Sequence, residues 1–314
     1  IIIKNLSLFY LFLMFSIFIF WPPWTNPLKS IIDMFLVLKQ YPFSGENFIM
    51  GEYISRFNLP WYYIPLWIGI TTPLSFILFL FIGLWKNFQL LNYELTERTL
   101  INNFMFAGFL TPVLAVIFLG STLYGGWRHM FFIYPFLAYF MIIGFTFISD
   151  WMASYFTFKK NHVVLSLGII VFSAPVLSIV KTHPNQPVYF NIFAGKDPMI
   201  SYEGDAWGTS YRKGLEWIIK NDERDSIMVS IHNSPGSRNR HMIPINDRKR
   251  LHFQFISAPG EIDKITGDYF ITNFYGEQPN LYLKAKNNIP PLDEELFSIN
   301  IDEMKILGLY KLNK

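Results

Sequence analysis

Two basic side chains stand together in the shortest polar connection of the sequence, Arg128 and His129 in the run Tyr-Gly-Gly-Trp-Arg-His. The run lies between two long apolar stretches, and a charge at membrane depth costs roughly 2.5 to 3.5 kcal/mol on insertion scales, so a partner is expected. A guanidinium group offers a bidentate fork to phosphate oxygens, and an imidazole adds a second donor. The pair is a candidate clamp for the phosphate of a lipid-linked molecule. The alternative is that Arg128 extends to lipid headgroups.

An aromatic loop over residues 41–63 supplies a second set of candidates. It carries two carboxylates, Glu46 and Glu52, and one basic residue, Arg56. We expect Arg56 to contact a phosphate, and either carboxylate to orient a hydroxyl or ligate a metal ion. The loop closes with three aromatic residues: Trp61, Tyr62 and Tyr63. Because tryptophan and tyrosine concentrate at the headgroup level of bilayers, an interfacial anchor is the alternative interpretation of this segment.

Further polar residues carry less specific patterns. Asp205 precedes a helical pattern and is expected to cap it, the alternative being a carboxylate that faces substrate. The histidines at 232, 241 and 252 lack compact ligand spacing and predict no metal site. No glycine-rich nucleotide motif or zinc-protease motif occurs, and the absence of cysteine excludes disulfides and thiolate sites. No cofactor is assigned, although a divalent metal is left open.

Five apolar stretches must position these residues. Each is close in length to the 20 residues that a bilayer span needs. They cover residues 5–24, 63–85, 103–123, 130–149 and 163–180. Prolines inside them are compatible with membrane helices, in which neighbours satisfy the freed carbonyls. We therefore expect a polytopic α-helical membrane domain over residues 1–180, with an outer loop at 25–62.

Charge and composition change after residue 180. Residues 1–180 hold 9 Lys and Arg and 6 Asp and Glu, whereas residues 181–314 hold 17 of each. The net charge of +3 therefore lies in the apolar part, and it is too small a footprint for nucleic acid. A helical pattern at 206–221, strand patterns at 226–232, 251–256, 268–274 and 304–312, and a turn cluster at 233–237 predict a small α/β domain over 181–314.

The topology follows from Lys and Arg counts in the short connections. The two faces carry equal numbers, and Lys4 adds one to the face that holds residues 86–102. The positive-inside rule then places 86–102 in the cytoplasm and both the 25–62 loop and residues 181–314 outside it. The sequence thus predicts a multi-pass protein of a bacterial-type cell membrane.

Three segments carry a resemblance to a known family: Leu-Pro-Trp-Tyr-Tyr-Ile-Pro at 59–65, Gly-Trp-Arg-His-Met-Phe-Phe-Ile-Tyr-Pro at 126–135, and the run 183–191. In order and spacing they resemble the later half of polytopic GT-C glycosyltransferases, the family 39-like group of protein O-mannosyltransferases and bacterial aminoarabinose transferases of lipid A. The similarity covers about residues 41–220. Asp205-Ala206-Trp207 stands where bacterial relatives often have Asp-Tyr-Trp, and Lys196 stands where a second glycine would follow Gly195.

The resemblance implies transfer of a sugar from a polyprenyl-phosphate donor to a protein, lipid or glycan acceptor on the non-cytoplasmic face, with inversion at the anomeric carbon. Arg128 and His129 would bind the donor phosphate, Arg56 would assist, and the aromatic residues at 61–63 would line the lipid or sugar path. The family's acidic base lies in the first outer loop, so this chain is expected to be a C-terminal portion without that base. A transporter or flippase of lipid-linked saccharide, and a non-catalytic membrane subunit with a partner-binding tail, are the alternatives.

Overall fold

The computed structural model describes residues 2–20, 27–39, 41–90, 96–256 and 265–312. Its first part is helical apart from one hairpin, and its second part carries a sheet. The helices of the first part are α1 (Ile2–Phe20), α2 (Pro27–Lys39), α3 (Tyr63–Thr71), α4 (Leu74–Leu90), α5 (Glu97–Leu119), α6 (Tyr134–Tyr155) and α7 (Lys160–Thr182). The hairpin joins β1 (Glu46–Ile49) to β2 (Glu52–Ser55) and lies within the predicted outer loop.

Three helical segments in the described part of the chain are long and apolar enough to cross a membrane: Glu97–Leu119, Arg128–Tyr155 and Lys160–Thr182. They match the third, fourth and fifth predicted spans. The prediction of five spans is not supported, because the other two predicted spans yield shorter apolar segments, Ser7–Ile17 and Leu74–Gln89. Residues 21–24 of the first predicted span lie outside the described residues.

The predicted span at 63–85 is two helices because Pro73 separates α3 from α4. Proline has no N–H and its ring clashes with the preceding turn, so the helical hydrogen-bond ladder stops there. Carbonyl groups at this break need donors from elsewhere in the protein. Asn191, which follows α7, donates hydrogen bonds of 2.6 to 2.8 Å to three of them, those of Gly69, Ile70 and Thr72.

Helices α4 and α6 make a close backbone contact at Gly83 and Gly144. A Cβ atom on Gly83 would lie 1.8 Å from the carbonyl oxygen of Phe140, and one on Gly144 would lie 2.0 Å from that of Phe79. Only glycine fits at these two positions, because both neighbours are helix backbone. Small residues at helix crossings are typical of membrane packing. The contact fixes α6, which begins just after the Arg128 connection.

The C-terminal part is an α/β layer, as predicted. It contains α8 (Tyr211–Asn221) and the strands β3 (Ile227–His232), β4 (Leu251–Ile256), β5 (Tyr269–Thr272), β6 (Glu295–Ile301) and β7 (Met304–Lys311). The strand order is β4-β3-β5-β7-β6, with β3 parallel to β4 and β5, and β7 antiparallel to β5 and β6. Three short helices complete it: α9 (Asn233–Asn239), α10 (Ile245–Arg248) and α11 (Asn280–Lys286).

The structure corrects three details of this region. Residues 233–237, predicted as a turn, begin the short helix α9. Strand β6 is an addition to the predicted set and forms the edge beside β7. Helix α8 begins at Tyr211 rather than at 206, and Ser210 is its N-cap. Asp205 therefore does not cap the helix as predicted: its buried carboxylate accepts the N–H groups of Thr209 and Ser210, each at 2.9 Å, in the turn before it.

Candidate functional site

Three of the predicted residues pack against the ring of Tyr124. The guanidinium carbon of Arg128 lies 4.4 Å from the ring centroid, and that of Arg56 lies 5.4 Å from it. The ring of His129 packs edge-on, with 4.6 Å between the centroids. Arg56 follows the β1–β2 hairpin, more than 70 residues before Arg128 in the sequence. Tertiary packing of the hairpin on the helical connection therefore brings the two cations together.

Two glycines fold the connection so that Arg128 returns over Tyr124. Gly125 and Gly126 have φ values of 64° and 65°, a left-handed conformation that non-glycine residues seldom adopt. A 3₁₀ turn follows at Arg128–Ile133 and leads directly into α6. The turn is supported from below by Tyr63, whose hydroxyl donates to the carbonyl of Gly126 at 3.0 Å.

Arg128 packs between aromatic rings and keeps its hydrogen-bonding edges available. Besides Tyr124, the ring of Trp207 lies under its guanidinium, 4.7 Å from centroid to carbon. Such cation–π contacts hold the plane of the group without using its N–H donors. Within the described ranges, the guanidinium of Arg128 has no hydrogen bond or ion pair to another side chain. An incoming oxygen ligand would therefore meet unused donors.

Arg128 lines a cavity of about 460 Å³. Its other polar and aromatic lining residues include Trp67, Thr71, Trp127, Ser178, Thr182, Gln186, Tyr189, Glu203 and Trp207. The apolar walls come from the helices and include Phe76, Phe131, Tyr134, Pro175 and Ile179. Two of the three segments of membrane-spanning length, Arg128–Tyr155 and Lys160–Thr182, contribute residues to this cavity. A charged group and the faces of apolar helices thus share one space.

Glu203 is the site residue that sequence reasoning missed. Only 6% of its surface is exposed, and it lines both the large cavity and a smaller one. Oε1 accepts the N–H of Phe48 at 3.3 Å, while Oε2 has no hydrogen-bond partner among the described residues. Burial raises the pKa of Glu203 to about 7, against the opposing influence of the Phe48 and Gly126 amides and the positive charges of Arg56 and Arg128.

The hairpin and the α/β domain hold the segment that carries Glu203. Ile49 forms a β-bridge with Tyr202, and the N–H of Gly51 donates to the carbonyl of Ser201 at 3.0 Å. From the other side, the side chain of Gln278 donates to the carbonyl of Tyr202 at 3.0 Å. The site is therefore built at the junction of three parts of the chain. Local spacing around Glu203 carries no sign of this burial.

The smaller cavity has a volume of about 170 Å³ and a mixed polar wall. Its lining residues are Glu46, Phe48, Tyr53, Arg56, Glu203, Tyr275 and Gly276. Arg56 is anchored by hydrogen bonds to Asn47 Oδ1 at 3.2 Å and to the carbonyl of Ser44 at 3.1 Å. Burial raises the pKa of Tyr53 and of Tyr275, so both phenols remain protonated donors. Arg56 thus lies at the smaller cavity, not beside the space that Arg128 faces.

The remaining predicted residues line neither of these two cavities. Glu52 is exposed on β2, and His129 is exposed beside Tyr124. Trp61 is 69% exposed and packs edge-on against the half-buried Tyr62. Tyr63 is buried beneath the glycine turn. The structure therefore does not bring the predicted aromatic path at 61–63 to the cavities, because only Tyr63 points into the protein and it supports backbone there.

The described residues give little support for a metal site. No three histidine, aspartate or glutamate side chains there lie close enough together to hold a metal ion. His232 is buried and hydrogen-bonded through Nδ1 to the hydroxyl of Thr272 at 2.9 Å. The divalent metal that the sequence left open stays a hypothesis.

Comparison with known proteins adds no relative. No family model matches the chain, no curated protein matches it, and no solved structure matches it. The resemblance to GT-C glycosyltransferases rests on the three segments quoted above. Function has to be argued from the site itself.

Proposed function

We propose that this chain is a membrane glycosyltransferase component that moves a sugar from a polyprenyl-phosphate donor to an acceptor on the non-cytoplasmic face. The observation that supports it is the large cavity, where Arg128 shares one space with apolar walls from two segments of membrane-spanning length. A polyprenyl-phosphate sugar has the matching parts, an apolar chain, a phosphate and a sugar. A soluble sugar nucleotide would leave the apolar walls without a partner.

Arg128 is the proposed phosphate clamp. Tyr124 and Trp207 hold its guanidinium plane, and its unused N–H groups form a fork that fits two phosphate oxygens. In the transfer, negative charge grows on the leaving phosphate as the sugar–phosphate bond breaks, and a fixed cation stabilises that charge. His129 contributes through its packing on Tyr124. The general base that the resemblance places in an earlier loop stays a prediction.

Trp207 is the proposed platform for the donor sugar. Its ring lines the large cavity and is 55% exposed, so a face remains for a ligand after Arg128 has packed on it. Sugar rings bury apolar C–H faces well against aromatic rings. The sugar and the phosphate of one donor would then contact neighbouring residues.

The clamp is tested by donor turnover with the full-length protein in nanodiscs, using a panel of polyprenyl-phosphate sugars. Arg128→Ala should lower kcat/KM for the donor by about 10- to 100-fold, the range expected for losing hydrogen bonds to a charged group. Arg128→Lys should fall between, because it retains charge but loses the fork and the ring packing. Arg98→Ala, at an exposed arginine in the first turn of α5, is the matched control. Turnover by Arg128→Ala at the wild-type rate would contradict the proposal.

A transporter of lipid-linked saccharide is the second candidate, and the helix break at Pro73 favours it. Discontinuous helices form binding sites in many transporters, where freed carbonyls contact the cargo or its coupling ion. In this structure Asn191 already donates hydrogen bonds to three such carbonyls. They could bind a cargo or an ion only if these hydrogen bonds broke. Reconstitution in liposomes with a fluorescent polyprenyl-linked saccharide separates the two: movement between leaflets without chemical change would support transport and contradict transfer.

A further inference from the structure

Glu203 lines two cavities, and their other lining residues come from different parts of the chain. The large cavity takes residues from two segments of membrane-spanning length. The small cavity takes its walls from the β1–β2 hairpin, the residue after it and the α/β domain, with none from those segments. The small cavity is therefore placed to receive a ligand from water, whereas the large one suits a ligand held in the bilayer.

The small cavity combines hydrogen-bond donors, acceptors and an aromatic wall. Glu203 lines this space, and its buried Oε2 has no partner in the described part of the chain, so it is an unused acceptor. The hydroxyls of Tyr53 and Tyr275 and the guanidinium of Arg56 supply donors. The ring of Phe48 lies 5.0 Å from that of Tyr53. Alternating donors and acceptors beside aromatic faces are what the hydroxyls and C–H face of a sugar need.

Charge argues against other ligand classes in this cavity. A phosphate would meet two carboxyl groups, Glu46 and Glu203, against the single cation Arg56. A purely apolar ligand would leave the buried Oε2 of Glu203 unsatisfied, at a cost of about 1 to 3 kcal/mol. A neutral polyhydroxyl group avoids both penalties.

We propose that the small cavity is a carbohydrate-binding acceptor site, in which a sugar hydroxyl donates a hydrogen bond to Oε2 of Glu203. The name acceptor site rests on the proposed function, because Glu203 would then separate the acceptor hydroxyl from the donor bound near Arg128. The binding of a sugar does not rest on it. The two can therefore fail separately.

The absence of cysteine from the sequence provides a clean test. Two glutamates of the same hairpin are exposed, and only Glu46 lines the small cavity, so Glu46→Cys and Glu52→Cys form a matched pair. The full chain in nanodiscs is labelled with a small charged thiol reagent, with and without methyl glycosides of glucose, galactose, mannose and N-acetylglucosamine. At least one glycoside should slow labelling of the Glu46→Cys thiol tenfold or more and change the Glu52→Cys rate less than twofold.

Adding Glu203→Gln to Glu46→Cys should raise the glycoside concentration needed for protection about tenfold at pH 8, since one acceptor oxygen becomes a donor group. Circular dichroism checks that the double variant is folded, and Tyr275→Phe provides a second, milder removal of a cavity donor. Failure of all four glycosides to protect the Glu46→Cys thiol, or equal protection of both thiols, would overturn the sugar site. Protection by a glycoside in the full-length protein, with no donor turned over there, would overturn the acceptor assignment and leave the sugar site standing.

Discussion

At the scale of single residues, Glu203 is a carboxyl group whose charged form would be buried inside the protein. Its carboxyl is buried, one oxygen has no partner in the described ranges, and its pKa is raised to about 7. The unfolded chain releases this proton near pH 4.5, whereas the folded chain keeps it until about pH 7. Folding therefore becomes less favourable as the pH rises through that interval.

Glu203→Gln should remove this pH dependence. Between pH 4.5 and 7 the free energy of unfolding of the wild type should fall relative to that of the variant, by about 3 kcal/mol in all, and the difference should stay constant above pH 7. Denaturant titrations in detergent, followed by tryptophan fluorescence, measure it. Glu52→Gln, at an exposed position, is the control and should give a curve parallel to wild type. Parallel curves for Glu203→Gln would show that burial does not control this carboxyl.

At the scale of elements, glycine positions decide how closely the helices pack. Gly83 and Gly144 place the backbones of α4 and α6 in direct contact. Gly168, in α7, has no atom within 4 Å of the place where a Cβ would be, so it does not serve packing in the same way. The two kinds of glycine cannot be told apart in the sequence, because all three lie within apolar stretches.

Opposite signs are expected for alanine at these positions. Gly144→Ala should destabilise the protein by about 1 to 3 kcal/mol, since overpacking forces α4 and α6 apart. Gly168→Ala should be neutral or slightly stabilising, because alanine is the better helix former by up to about 1 kcal/mol. Thermal unfolding in detergent compares the two variants. A lower midpoint for Gly168→Ala than for Gly144→Ala would contradict the α4–α6 contact.

At the scale of the whole molecule, a buried polar cluster ties the sheet to the segment that carries Glu203. The hydroxyl of Tyr211 donates to the carbonyl of His232 at 2.6 Å, and the side chain of Asn273 donates to the carbonyl of Asp205 at 2.6 Å. Burial lowers the pKa of His232 to about 4. The cluster thus links α8, β3 and β5 to the edge of the large cavity through neutral groups.

Lowering the pH should destabilise this buried cluster. In the unfolded chain His232 binds a proton near pH 6.5, whereas in the folded chain it stays neutral until about pH 4. The free energy of unfolding therefore decreases as the pH falls between these values. The loss amounts to about 3 kcal/mol and opposes the gain from Glu203 over most of the same interval. His232→Asn should reduce the loss, since the amide can still bond to Thr272. Unfolding titrations from pH 7 to 4 on both variants separate the effects, and an unchanged acid limb in His232→Asn would refute this one.

Much of the secondary structure followed from local pattern alone. The apolar stretches after residue 102 predict the three helices of membrane-spanning length, and strand patterns predict four of the five strands of the sheet. These features are local, so the nearby residues are enough to specify them.

Only the tertiary structure decided what the site contains. The break at Pro73 is stabilised by Asn191, more than 110 residues away, and Arg56 and Arg128 meet at Tyr124 through the packing of a hairpin. Glu203 becomes a buried, partly unpartnered carboxyl because the hairpin, the glycine turn and the α/β domain close around it. Burial and cavity shape depend on segments distant in the chain, and a carboxylate's neighbours in sequence do not reveal how much water it loses on folding.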